Sequence, residues 1–151
     1  MSEHPPEGLG PSHSPDGPAD AIGDDVTGDF VRHLGLELTE IGPDRVEARW
    51  SGAPHLQQPY GIVHGGVHCS VIETLASVGA AMWFGDRGKT VGVNNNTDFI
   101  RAVTDEDITS VALPVHRTEF EQIWVVESRD DSQRLVAQGR VRLQNLYPRD
   151  Q

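Results

Sequence analysis

The sequence predicts an α+β domain in which one long helix packs against an antiparallel β-sheet. Three observations predict it. From Gly65 onward, Val67, Val71, Leu75, Val78 and Met82 recur at helical spacing and form one apolar stripe. Two strand-like runs precede this helix and four follow it, with turn residues between them. The last run alternates strictly: Leu135, Ala137, Gly139, Val141 and Leu143 face one way, Gln138, Arg140 and Arg142 the other.

The elements follow in order. Residues 1–25 hold five of the ten prolines and almost no large apolar side chains, so they read as a disordered tail. The folded domain is expected over residues 26–147, with residues 148–151 as a C-terminal tail. It opens with a short helix around "DFVRHLGL". "LELTEIG" and "RVEARWS" flank Gly42-Pro43-Asp44, a turn sequence, and read as a hairpin. After the central helix come "KTVGVNNNTDFI", "ITSVALPVHRT", "QIWVVESRD" and "RLVAQGRVRLQNL", the last two joined by the turn in "RDDSQR".

Composition narrows the function. The net charge of −11 is uneven: residues 1–50 carry 11 acidic and 3 basic side chains, residues 51–151 carry 12 and 9. Such a chain is not expected to bind nucleic acid or an anionic membrane in general. A local basic patch for a small anion remains open. Cys69 is the only cysteine, which excludes an intrachain disulfide and suits a reducing cytoplasm. No run is expected to reach the roughly 20 apolar residues of a membrane span. There is no Lys or Arg before Arg32 and no apolar stretch there, so a secretory signal is not expected.

The helix carries a second stripe, Gly66, Ser70, Glu73 and Ser77, well over a right angle from the first. A solvated face usually carries several charges, whereas this one carries small residues around a single carboxylate. That composition favours a lined site. The first turn of a helix leaves backbone N–H groups without partners at the positive end of its dipole. Gly65 and Gly66 present no side chain to keep a ligand oxygen away from them, so an oxyanion could be held there. His64 and His68 are four apart with His55 nearby, but no carboxylate completes a familiar metal set. Cys69 reads as a small buried side chain rather than a nucleophile.

"GIVHGGVHCSVIETLAS" followed by "VGVNNNTDFIRAV" resembles the hotdog-fold acyl-CoA thioesterases of the PaaI type. The likeness is closest to the 4-hydroxybenzoyl-CoA thioesterases with a glutamate on the central helix, and it covers Gly35 to Leu146. It implies a hotdog fold, assembled as a dimer or a dimer of dimers, that hydrolyses an aromatic or medium-chain acyl-CoA without metal or cofactor. By the same resemblance, Gly65 N–H polarises the thioester carbonyl and Glu73 is the catalytic carboxylate, as nucleophile or general base. Gln58 is the amide near the carbonyl, His64 braces the loop, and Ser77 holds the attacking water where relatives often carry threonine. Gly66, Asn96, Arg101 and Arg117 are the implied contacts to substrate and coenzyme A, with Arg149 a weaker one. A hotdog dehydratase or hydratase and a non-catalytic acyl-CoA-binding protein are the alternatives. Gly65 and Glu73 lie eight residues apart, about 12 Å along one helix. One thioester carbon cannot touch both, so the site is expected between two antiparallel helices of a homodimer or homotetramer.

Overall fold

The computed structural model describes residues 28–149. The tail expected over residues 1–25, and the last two residues of the C-terminal tail, lie outside the described residues.

A short helix α1 (Gly28–Leu34) leads into the hairpin of β1 (Glu37–Ile41) and β2 (Val46–Ser51). The long helix α2 (Gly65–Phe84) follows, then β3 (Lys89–Phe99), β4 (Asp107–Arg117), β5 (Glu121–Asp130) and β6 (Leu135–Leu146). The six strands form one sheet in the order β1-β2-β4-β5-β6-β3, and all neighbours are antiparallel. The chain therefore crosses the sheet through α2, and among the described residues β3 pairs only with β6 at the far edge. Its other edge has no strand partner among the described residues.

α2 lies across one face of the sheet and touches every strand. Its buried side is wider than one stripe: Val67, Val71 and Leu75 are joined by His68, Ile72, Ala76, Gly79, Ala80 and Phe84. Val78 and Met82, expected on the stripe, are only half-buried. A helix laid over a broad sheet buries two adjacent rows, and the second row runs through the small residues. The helix ends at Gly85, whose φ of 60° suits glycine. Gly65–Arg87 has the length and the mean hydropathy, 1.3, of a membrane span, contrary to the expectation from sequence. Half of it is buried against the sheet, and the core helix of a two-layer domain meets the same criterion.

Polar groups inside this core are paired into chains. The Trp124 indole N–H donates to Gln122 Oε1 at 3.0 Å, and Gln122 Nε2 donates to Asn145 Oδ1 at 2.9 Å and to the Ala80 carbonyl at 3.2 Å. That links β5, β6 and α2. Gly79 makes room for the indole, because a Cβ there would stand 2.5 Å from Trp124 Cη2. On the other side, Trp50 Nε1 donates to Ser110 Oγ at 3.0 Å, which meets Ser128 Oγ at 2.7 Å, joining β2, β4 and β5.

The free edge of β3 is long and carries exposed apolar side chains among polar ones. Val91, Val93 and Phe99 are all exposed along its 11 residues. At the opposite edge β1 has five residues and carries Glu37 and Glu40 in the open. Charge and brevity protect one edge, while the other is a template for pairing.

Candidate active site

The loop that delivers the chain to α2 is fixed by backbone hydrogen bonds. Gln58 N–H donates to the Ile62 carbonyl at 2.8 Å and Gly61 N–H to the Gln58 carbonyl at 2.9 Å. Val63 N–H reaches Val103 at 2.8 Å and His64 N–H reaches Leu56 at 2.9 Å. The Gln58 side-chain oxygen accepts from Tyr60 N–H, so its amide N–H2 is the end left for a ligand.

His64 is the N-cap of α2. Its Nδ1 accepts the Gly66 N–H at 2.8 Å, and its carbonyl accepts from Val67 N–H at 2.9 Å. The Gly66 donor is therefore used inside the chain and does not reach a ligand. No acceptor among the described residues takes the Gly65 N–H. The helix start thus offers one aimed donor where the sequence suggested two. It opens on a cavity of about 280 Å³ lined by Gln58, Gly65, His68, Phe99, Arg101 and Val103, among others. The size lies near the lower end for small-molecule sites, about 300 Å³. A Cβ on Gly65 would come 2.5 Å from Phe99 Cε2, so the bare glycine also lets that ring close one wall.

Arg101 stands at this cavity, with no carboxylate within ion-pair distance among the described residues. Arg117 is placed elsewhere. It pairs with Asp44 at 2.9 Å, donates to the Pro43 carbonyl at 2.8 Å and lies 5.1 Å over the Trp83 ring, near the far end of α2. Asn96 lines a groove of about 660 Å³ with Ile123, Val125, Arg140 and Arg142, side chains on the sheet face turned away from α2. Within one protomer neither residue is brought to the Gly65 cavity.

Glu73 is exposed and sits beside the β3 edge. Asn95 Nδ2 lies 3.4 Å from Glu73 Oε2, and donates to the Cys69 carbonyl at 3.0 Å. Thr97 Oγ1 donates to Asn95 Oδ1 at 2.7 Å, which fixes the amide. A Cβ at Gly92 would stand 3.2 Å from Glu73 Oε1, so that strand glycine leaves the carboxylate its space. Ser77 lies half-buried one turn further on, and Ser70 Oγ donates back to the Gly66 carbonyl at 2.7 Å. Gly66, Ser70, Glu73 and Ser77 form one uncovered stripe running along α2 next to the open strand.

Sequence reasoning missed Asn95 and Phe99, and weighed His68 only as a metal ligand. Asn95 belongs to a run of three asparagines, and only the strand register shows which one turns towards the helix. His68 was visible as the partner of His64 at four-residue spacing, but the structure separates the histidines. His64 caps the helix, His55 Nε2 donates to the His33 carbonyl at 2.8 Å, and His68 is inside the protein with 3% exposure. Among the described residues no three His, Cys, Asp or Glu side chains converge as a metal set would.

Burial pushes the His68 imidazole down from its ordinary 6.5 to about 4. In the unfolded chain it takes a proton below about pH 6.5, whereas the folded protein refuses one until about pH 4. The stability it contributes is therefore complete above pH 6.5 and is lost as the pH falls to 4. The window corresponds to ~3 kcal/mol at most. His68→Leu should remove this dependence: denaturant melts at pH 7.5 and 4.5 should show wild type losing ground to the variant at the lower pH. A constant difference at both would place the titration on another group.

A helix-start donor, a half-open and largely apolar cavity, and a carboxylate on the same helix are elements suited to chemistry on an activated acyl group. The sequence matches the thioesterase superfamily over residues 60–137. Rv1847 of Mycobacterium tuberculosis, which carries an esterase name, is 47% identical over 139 residues, 90% of this chain and 97% of its own. Its solved structure superposes with a TM-score of 0.77, covering 80% of this chain and 98% of that one. The proofreading thioesterase EntH of Cronobacter turicensis is 30% identical, covering 81% of this chain and 89% of its own. The 1,4-dihydroxy-2-naphthoyl-CoA hydrolase of Escherichia coli is 28% identical over 76% of this chain and 84% of its own. The chain belongs to the thioesterase superfamily and is a thioesterase with the hotdog fold.

Proposed function

We propose that the protein hydrolyses acyl-CoA thioesters, with an aromatic or medium-chain acyl group, at sites shared by two copies of the chain. The observation that carries this is the unpaired Gly65 N–H opening on an apolar cavity beside Gln58 and Arg101. The carboxylate such chemistry needs, Glu73, lies about 12 Å along the same helix. The Escherichia coli relative acts on an aromatic acyl-CoA, which supports this substrate class.

The long open edge of β3, with Val91 and Val93 exposed, supports the pairing. Two β3 strands joined across a two-fold axis would set the α2 helices antiparallel, their small-residue stripes facing. Gln58 and Gly65 of one copy would then meet Glu73 and Ser77 of the other, and such dimers could pair into a tetramer. In this arrangement Gly65 N–H and the Gln58 amide polarise the thioester carbonyl, and Arg101 offers charge to the CoA phosphates. Glu73 takes a proton from water held by Ser77, or attacks the carbonyl itself before water completes the reaction. The water hydroxyl ends on the acyl carbon, the C–S bond breaks, and the proton goes to the departing thiolate. No metal or redox cofactor takes part.

Free-thiol release from a panel of aroyl- and alkanoyl-CoAs tests the reaction, with enoyl-CoA hydration alongside. Hydration without thiol release would replace the thioesterase reading. The shared site has its own test. Gln58→Ala and Glu73→Ala, each impaired alone, are unfolded together and refolded as a mixture. About half the dimers become mixed, each with one doubly defective and one intact site, so roughly a quarter of wild-type activity returns. Well-folded mixtures no more active than the separate variants would put the whole site in one chain.

A further inference from the structure

His68 has no part in the steps above, yet it lines the cavity into which Gly65 N–H opens. It is 97% buried, edge-on to Trp50 at 5.5 Å and 5.9 Å from the Phe99 ring. Its Nδ1 is sealed from solvent with no hydrogen-bond partner among the described residues. A buried polar atom left this way calls for an explanation. A neutral imidazole carries one hydrogen, and a sealed N–H is a rarer orphan than a sealed lone pair. The favoured tautomer therefore leaves Nδ1 bare and puts the hydrogen on Nε2. No residue among those described accepts from that nitrogen either.

We infer that His68 is a specificity residue, whose Nε2–H donates to an oxygen carried by the acyl group seated against Ile62, Val63, Phe99 and Val103. The preferred substrate is then a flat, mostly apolar acyl group bearing a ring hydroxyl, alkoxyl or carbonyl. The inference rests on the thioesterase reading. The cavity walls hold the ring, and the single buried donor reads its substituent. Sites that hydrogen-bond a substrate oxygen discriminate against analogues lacking it far more strongly than apolar pockets discriminate by size.

The test compares benzoyl-CoAs in near-isosteric pairs, methoxyl against ethyl and hydroxyl against methyl, at each ring position. At one position wild type should favour the oxygenated member by ~10-fold or more in kcat/KM. His68→Leu should shrink that ratio to near one, and His68→Gln, which carries an amide N–H close to the Nε2 position, should recover part of it. Melting curves verify that both variants fold. Should the leucine variant not fold, ¹⁵N spectra of the wild-type imidazole with the free methoxybenzoates carry the test. There the Nε2–H signal should move with the oxygenated acid and not with its ethyl counterpart. A wild type that hydrolyses the panel without discrimination, or a leucine variant that discriminates equally, overturns the role of His68 alone. A wild type that releases thiol from none of the panel overturns the aromatic thioesterase reading, and this inference with it.

Discussion

Glu73→Gln should lower kcat by at least ~10²-fold, within the range for a positioned general base or nucleophile. The substitution keeps the shape and volume of the side chain. Asn95 Nδ2, 3.4 Å from Oε2, can still face the amide oxygen of glutamine. What disappears is the negative charge that takes the proton or attacks the carbonyl. Because glutamine fills the same space and Asn95 can still face its oxygen, the replacement should leave the melting temperature within about one degree. Substrate binding, read by a competitive product analogue, should survive. Thiol release close to wild type would remove Glu73 from the mechanism.

Trp124→Ala should be the most destabilising single change in the core. The indole is fully buried between β5 and α2, against Gly79. Truncating a buried tryptophan costs ~3–5 kcal/mol. Here a polar loss is added: Gln122 Oε1 surrenders its donor inside the protein, while Gln122 Nε2 remains tied to Asn145 and Ala80. Against a typical total of about 5–15 kcal/mol, that is enough to leave a substantial unfolded population. Denaturant midpoints at one fixed protein concentration check it. Trp124→Phe fills much of the same space and should lose distinctly less.

The elements were legible because each announces itself locally. Gly42-Pro43-Asp44 marks the first hairpin, and the alternation from Leu135 to Leu143 fixes which side of β6 is buried. The start of α2 at Gly65 followed from glycines placed before a periodic apolar run. What periodicity could not supply was pairing between distant segments. Nothing local in "KTVGVNNNTDFI" says that it joins β6 rather than β4, so its exposure at the edge was hidden. The same gap concealed Asn95, whose contact with Glu73 depends on the helix crossing β3 at Gly92. Arg117 misled for a related reason: a strand end is recognisable, but which end of α2 it meets is not. His68 was hidden differently. A histidine between valines on an apolar row reads as an interruption or a ligand, and only three-dimensional burial exposes its unpartnered nitrogen.

The sheet order has a consequence for how the chain is made. β6 lies between β5 and β3, so the last of these six strands in chain order is the one that joins the two parts of the sheet. β3 emerges roughly 40 to 60 residues ahead of β6, its partner in the sheet, and at 5–20 residues per second it waits on the order of seconds. During that interval the sheet that covers α2 is incomplete, and both edges of β3, with Val91, Val93 and Phe99, are open to other nascent chains on the same message. A truncation inside β6 would make the interval permanent. Premature termination near Leu135 should therefore yield aggregates and inclusion bodies rather than a shortened soluble protein.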